Sequence, residues 1–252
     1  MNDGPGLDLG QPRDVGALLR DGLRLYAAHL PLLLLMAAAI VVPFQLVVSG
    51  IGLEQLTAAY DDDTSVAERG IPTILTFFVT TPLVTAATIH ALTALANGSQ
   101  PRAGTALQAA LDVFTPLLAA LLLAAAGILL GLLALILPGV YLLIRWYFVP
   151  QAVVVDGGRA VAALRRSGAL VQDFWWRTFA IVLLLNLVAA VPGLLILTPL
   201  EAAAESADRE VVALVGSIAA EVVSVPFVAV VSTLLFFDLR ARHAALPPLE
   251  AA

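Results

Sequence analysis

Six long apolar stretches dominate the sequence, and each is long enough to cross a lipid bilayer. A bilayer core requires about 20 consecutive apolar residues of helix, with a range of roughly 17 to 25. We expect six membrane-spanning helices, at residues 30–51, 71–96, 115–137, 140–155, 176–197 and 211–237. The third and fourth stretches are separated by Pro138-Gly139, a dipeptide typical of turns, and we expect the apolar run to break there.

The composition excludes a soluble globular domain. Apolar residues make up 60% of the 252 residues and charged residues only 13%, too few for a water-facing exterior. The net charge of -6 argues against nucleic acid as a partner. The chain has no cysteine, which excludes disulfides and thiolate metal sites. Because the first apolar stretch starts at residue 30 behind an acidic leader, we expect a retained anchor helix and not a cleaved signal peptide.

The arginines are distributed unequally between the loops, which predicts the orientation of the chain. With six spans, both termini share one side with the loops at 97–114 and 156–175. Ten arginines lie on that side or at its span ends: Arg13, Arg20, Arg24, Arg102, Arg159, Arg165, Arg166, Arg177, Arg240 and Arg242. Arg69 and Arg209 lie on the other side. All 13 basic residues are arginine, a usage typical of GC-rich bacterial genomes. We therefore expect a multi-pass protein of the bacterial plasma (inner) membrane with both termini in the cytoplasm.

Three short segments before the first, third and fifth spans have one apolar and one polar helical face. In the first of them, Leu18 and Tyr26 lie opposite Arg20 and Arg24. The segments near residues 103–114 and 159–174 repeat this pattern, the former more weakly. Such helices lie at the headgroup level with their arginines towards anionic lipid. The candidate lipid-headgroup contacts are Arg20, Arg24, Arg159, Arg165 and Arg166.

The expected fold is an all-α polytopic membrane protein built from one unit used three times. Six transmembrane helices form three parallel hairpins, and a cytoplasmic amphipathic interfacial helix precedes each hairpin. The repeat units are residues 14–97, 103–155 and 159–237, within a membrane domain at 14–242. A disordered leader at 1–13 and a C-terminal tail at 243–252 flank it. The alternative is that helices entering a membrane are commonly amphipathic, with no common ancestry among the three.

Two charged residues lie well inside predicted spans. Arg145 is about six residues into the fourth span, and Glu221 is about ten residues into the sixth from the same side. A buried charge is costly unless it is paired, so we expect an intramembrane Arg145–Glu221 ion pair. The alternatives are that Arg145 reaches the interface among aromatic residues, or that the pair forms a functional proton or anion site.

The sequence contains no motif that indicates catalysis or metal binding. It has no HExxH, no GxSxG and no paired aspartates inside a span. His29 and His90 lack a second histidine or a carboxylate at the spacing of a helical metal site. We therefore expect no enzyme activity, no catalytic residue, no cofactor and no metal.

Three stretches together resemble a known bacterial family. They are residues 137–146 (LPGVYLLIRW) with Pro150, residues 163–167 (ALRRS) leading to 174–177 (FWWR), and residues 236–242 (FFDLRAR). The chain resembles the glycerophosphoryl diester phosphodiesterase membrane-domain family of YciC-like inner-membrane proteins over residues 14–242. It departs from the family pattern at Asp156, Gly168 and Phe237, where glutamate, tryptophan and tyrosine are common.

The resemblance implies a membrane module without the catalytic barrel. In some relatives a separate barrel carries histidines and a carboxylate-bound metal, whereas this sequence has no stretch left for one and only three scattered histidines. We expect a non-enzymatic accessory or scaffold module that contacts lipid headgroups, a partner membrane protein or a second copy of itself. The alternative is a small-solute carrier or channel with a path between the hairpins.

Overall fold

The computed structural model describes residues 10–48, 74, 76–203 and 209–245, of which 89% are helical and none is in a strand. The α-helices of these residues are α1 (Val15–Ala28), α2 (Leu30–Val48), α3 (Thr81–Ala96), α4 (Ala103–Asp112), α5 (Phe114–Ala134), α6 (Ile136–Arg145), α7 (Val149–Asp156), α8 (Ala160–Gln172), α9 (Trp175–Ala203) and α10 (Arg209–Ala245). A π-helical turn, Thr76–Thr80, leads directly into α3.

Within the described residues, six helical segments are long and apolar enough to cross a membrane, as the sequence predicts. They are Leu30–Val47, Thr76–Ala96, Phe114–Ala134, Ile136–Asp156, Trp175–Leu195 and Leu214–Ala245. The outer ends of the first two predicted spans, residues 49–51 and 71–73, lie outside the described residues. The architecture is compatible with a multi-pass membrane protein.

Helix α10 is the central helix of the described bundle and contacts α1, α2, α3, α8 and α9. All residues from 229 to 236 are buried. Contact between α10 and α1 is close because α1 has a glycine there, since a Cβ at Gly22 would lie 2.6 Å from Cγ2 of Val231. Lipid tails are as apolar as leucine, so close packing of small residues holds such helices together in a membrane.

The break between the third and fourth spans comes three residues earlier than predicted. Leu135, with φ -166° and ψ 148°, is the extended residue between α5 and α6. Pro138 lies in the first turn of α6, where proline is tolerated because a backbone N–H there would have no helical partner. Gly139 instead permits close packing, since a Cβ there would lie 2.8 Å from the backbone nitrogen of Leu132.

The fourth span is two helices, not the single helix predicted over 140–155. Helix α6 ends at Arg145 and α7 begins at Val149, with residues 146–148 in a turn. The Ser167 hydroxyl of α8 donates to the Arg145 carbonyl (2.9 Å) and accepts from the Phe148 N–H (3.1 Å). The turn exists because this side chain satisfies two backbone groups that a continuous helix would pair internally.

The three segments predicted to precede hairpins form the separate helices α1, α4 and α8. Each buries small or apolar side chains within the bundle, for example Leu18 in α1, Ala110 in α4 and Val171 in α8. Helix α10 continues to Ala245, so the predicted tail begins later than residue 243. Residues 1–9 and 246–252 of the predicted leader and tail lie outside the described part of the chain.

Candidate functional site

Arg145 does not pair with Glu221, and that prediction is wrong. Its Nη1 donates to the Tyr141 hydroxyl at 2.7 Å, and its guanidinium carbon lies 5.7 Å from the centre of the same ring. A Cβ at Gly168 would lie 2.9 Å from Arg145 Nε, so the side chain runs against α8.

Glu221 has a neutral partner on α2. Its Oε2 accepts a hydrogen bond of 2.9 Å from Nε2 of Gln45. Its other oxygen, Oε1, is buried without a hydrogen-bond partner among the described residues. The carboxyl group therefore links α10 to α2 through an amide, where an arginine was predicted.

The five predicted headgroup arginines are all exposed: Arg20, Arg24, Arg159, Arg165 and Arg166. The first two lie on α1, while Arg159 caps the start of α8 and the last two lie within it. Arg166 also donates through Nη1 to the backbone carbonyl of Asp156, at 2.8 Å. These residues thus form two separate basic faces on two helices whose other faces are buried.

A buried carboxylate, Asp238, organises a second group of charges. Its side chain is fully buried near the end of α10. One oxygen, Oδ1, accepts from the backbone N–H of Arg13 at 2.5 Å. The other, Oδ2, accepts from Arg177 Nη2 at 3.2 Å and from Arg242 Nε at 3.0 Å. A buried carboxylate is tolerated where it is paired and hydrogen-bonded in this way.

The same two arginines also hold the backbone before α1. Nη2 of Arg177 and Nη2 of Arg242 donate to the Arg13 carbonyl, at 2.7 and 2.6 Å. The Arg13 side chain forms an ion pair of 3.4 Å with Asp21. We call these five residues the Asp238 cluster. It joins the segment before α1, which includes the last residue of the predicted leader, Arg13, to the start of α9 and the end of α10.

A cavity of about 730 Å³ lies between α7, α8 and α10. It is lined by Asp156, Arg166, Ala169, Leu170, Phe236, Arg240, His243 and Ala244. Arg240 Nη1 contacts Oδ1 of Asp156 at 3.0 Å. Asp156 therefore holds both cavity arginines, Arg240 through its carboxylate and Arg166 through its backbone carbonyl.

Apart from His243, the remaining residues that line the cavity are apolar, and Phe236 and Leu170 contact its polar side chains. Phe236 is buried, and the Arg240 guanidinium lies 5.4 Å from the centre of its ring, within the range of a cation–π contact. His243 Nε2 lies 3.0 Å from the carbonyl of Leu170, and the histidine ring meets Phe174 edge-on at 5.1 Å. Guanidinium groups beside an apolar wall can recognise an anionic group attached to an apolar body.

Sequence reasoning missed the roles of Asp238 and Arg240. Both occur in the 236–242 stretch, which indicates only a family resemblance. Arg240 otherwise contributes only to the unequal distribution of arginines that predicts the orientation of the chain. A usable signal was present, since Asp238 and Arg242 are spaced i, i+4 at the end of an apolar span. In the ranges that the structure describes, no group of three or more His, Cys, Asp or Glu side chains could hold a metal ion.

Comparison with known proteins gives a family likeness without an activity. Residues 118–239, just under half of the chain, match a family model described as a domain of unknown function (DUF7847). The matched region runs from within α5 to the Asp238 cluster. No curated protein matches the chain. No solved structure matches it either. The resemblance to the glycerophosphoryl diester phosphodiesterase membrane-domain family therefore stays a prediction.

Proposed function

We propose that this chain is a non-enzymatic accessory module of the bacterial plasma membrane, and that its basic faces contact anionic lipid headgroups. In this proposal six spans form three parallel hairpins, and α1, α4 and α8 lie at the cytoplasmic interface before them. The same surface could also receive a partner membrane protein or a second copy of the chain. The family resemblance, to a membrane module separate from its catalytic barrel, agrees with this role.

The observation that carries the proposal is the exposure of arginines on helices whose opposite faces are buried. Arg20 and Arg24 are exposed on α1, while Leu18 of the same helix is completely buried. Arg165 is exposed on α8, while Val171 is completely buried. Packing within the bundle fixes which face of each helix points outward, and the outward face carries the cations that favour anionic lipid.

The Asp238 cluster supports the proposed topology. It joins the segment before α1, the start of α9 and the end of α10 through the partners of one aspartate. In a six-span chain these three segments belong to the same side of the membrane. With the bias of arginines, this convergence favours both termini in the cytoplasm.

The test measures how lipid charge changes the stability of the purified protein in neutral detergent. We expect phosphatidylglycerol to raise the midpoint of thermal unfolding more than phosphatidylcholine of the same chain length. This difference between the two midpoints should be smaller in a variant with Arg20, Arg24, Arg159 and Arg165 changed to glutamine. Each arginine near an anionic surface contributes about 1 kcal/mol of binding energy. Equal stabilisation by both lipids would overturn the proposal.

One observation favours the second candidate, a small-solute carrier or channel. Glu221 and Gln45 place a carboxyl and an amide inside candidate spans, and Glu221 Oε1 has no hydrogen-bond partner among the described residues. Intramembrane acids commonly mark solute or proton pathways. Solute or proton flux into proteoliposomes that is lost on Glu221→Ala would establish this function in place of the first.

A further inference from the structure

We propose that the cavity between α7, α8 and α10 is a specific site for one phosphate group carried by a membrane lipid. The inference rests on the proposed function and deepens it, because it distinguishes a single saturable site from the diffuse basic faces of α1 and α8. The cavity volume of about 730 Å³ lies within the roughly 300–1,000 Å³ of small-molecule sites.

The charges around the cavity favour an anion. Arg166 and Arg240 both line it, against one lining carboxylate, that of Asp156. The Asp156 carboxylate neutralises one of the two guanidinium groups, while Arg166 contacts a backbone carbonyl that carries no formal charge. His243 also lines the cavity, and the Asp173 carboxylate lies 3.9 Å from its Nδ1.

Each arginine retains donors for a ligand. A guanidinium has five N–H groups, and in the described residues the hydrogen bonds of Arg166 and Arg240 both use Nη1 alone. Two guanidinium groups that converge from different helices can bind a tetrahedral phosphate from two directions. The side chain of Arg240 is 46% exposed, so a ligand can reach it without prior unfolding.

The apolar wall selects a lipid over free phosphate. Ala169, Leu170 and Phe236 line the same cavity as the arginines. Its α10 residues, 236–244, lie at the end of the candidate span Leu214–Ala245, the level at which headgroups occur. A phosphate at the arginines would therefore place its glycerol and acyl esters against the apolar wall.

Asp156 acts as the internal competitor of this ligand. Its carboxylate makes the contact with Arg240 that a phosphate oxygen would make. Removing this charge while keeping the shape of the side chain, as in Asp156→Asn, should raise the affinity for phosphate. If Asp156 were needed only for folding, its replacement would not raise the affinity for phosphate. The affinity therefore distinguishes a competitor of the ligand from a purely structural residue.

The test is a binding titration of the detergent-solubilised full chain with three short-chain probes. They are dioctanoyl phosphatidylglycerol, dioctanoylglycerol, which has the chains without the phosphate, and inorganic phosphate. We expect saturable one-to-one binding of the first and none of the second. Arg166→Gln and Arg240→Gln should each weaken it about tenfold or more, the effect of a lost charge-assisted hydrogen bond.

The control is Arg102→Gln, an exposed arginine just before α4 that does not line the cavity. It should change the affinity by about twofold at most. Wild-type affinity in both cavity variants, or no gain in Asp156→Asn, would overturn the site. Equal binding of inorganic phosphate and lipid would overturn the lipid assignment. If anionic lipid still stabilises both cavity variants more than neutral lipid does, the proposed function is supported and the cavity is not its lipid site.

Discussion

Arg177 and Arg242 donate to the same acceptor, the backbone carbonyl of Arg13, from two different helices. Both also contact one oxygen of the buried carboxylate of Asp238. The two guanidinium groups therefore lie side by side, and the carboxylate together with the carbonyl dipole offsets their repulsion. We therefore expect loss of the Asp238 charge to destabilise the bundle.

Replacement of Asp238 by asparagine is expected to destabilise the protein by about 3–5 kcal/mol, because it leaves two partly buried arginines without their carboxylate. The measurement is chemical unfolding in detergent, with limited proteolysis near Arg13 as a local readout. The control is Asp173→Asn, whose side chain is 59% exposed and whose loss should cost no more than about 1 kcal/mol. Similar decreases in the free energy of unfolding in Asp238→Asn and Asp173→Asn would contradict the assigned role of Asp238.

Removal of the Ser167 hydroxyl is expected to weaken the junction between α6 and α7. Ser167→Ala leaves the Arg145 carbonyl and the Phe148 N–H without their shared partner, at a cost of about 1–3 kcal/mol for unsatisfied buried groups. The rate of amide hydrogen exchange at residues 146–149 should therefore be higher in Ser167→Ala than in the wild-type protein. Ser217→Ala is the control, since that hydroxyl bonds a carbonyl of its own helix, that of Leu214. Unchanged exchange in Ser167→Ala would be evidence against the junction.

Burial raises the pKa of Tyr26 above its ordinary value of 10.0. Its hydroxyl donates to the Val223 carbonyl at 2.9 Å, in the turn of α10 that precedes Pro226. A tyrosine with a raised folded-state pKa contributes stability that is complete below pH 10 and is lost as the pH rises through the folded-state value. We therefore expect a fall in stability above pH 10, which Tyr26→Phe should reduce while costing about 1 kcal/mol at neutral pH.

The measurement is the midpoint of thermal unfolding between pH 8 and pH 12. Tyr141→Phe serves as the control because that tyrosine is exposed and bonds Arg145. The unfolding midpoint of Tyr141→Phe should decrease at high pH by the same amount as that of the wild-type protein. An identical fall in Tyr26→Phe would show that another group causes it.

The length of the apolar stretches was sufficient to predict six candidate spans, because a bilayer imposes that length on any spanning helix. The interruption of the fourth span was not predictable in the same way. It depends on Ser167, about twenty residues away in the sequence and on another helix. A local pattern carries no information about such a partner.

The wrong pairing of Arg145 with Glu221 has a related cause. The prediction assumes that charged groups inside the spans pair with each other. In the structure both have neutral partners, Tyr141 for Arg145 and Gln45 for Glu221. Hydroxyl and amide groups are frequent in membrane helices and bond across them, so charge alone does not identify the partner. Asp238 was overlooked because two of its three partners, Arg13 and Arg177, come from distant segments of the chain.

The close contact of α1 with α10 yields the last prediction. A Cβ at Gly22 would lie 2.6 Å from Cγ2 of Val231, so Gly22→Ala should destabilise the protein by about 1–3 kcal/mol through overpacking. Gly104→Ala is the matched control, since a Cβ at that helical glycine meets nothing within 4 Å and should be neutral or stabilising by up to about 1 kcal/mol.

A double-mutant cycle with Val231→Ala tests the cause of that loss. The second change removes the methyl group that a new Cβ at position 22 would strike, so the two effects should couple favourably by more than about 0.5 kcal/mol. Unfolding in detergent is measured for the wild-type chain, both single variants and the double variant. Strict additivity of the two free-energy changes would mean that α1 does not pack on α10 at this point.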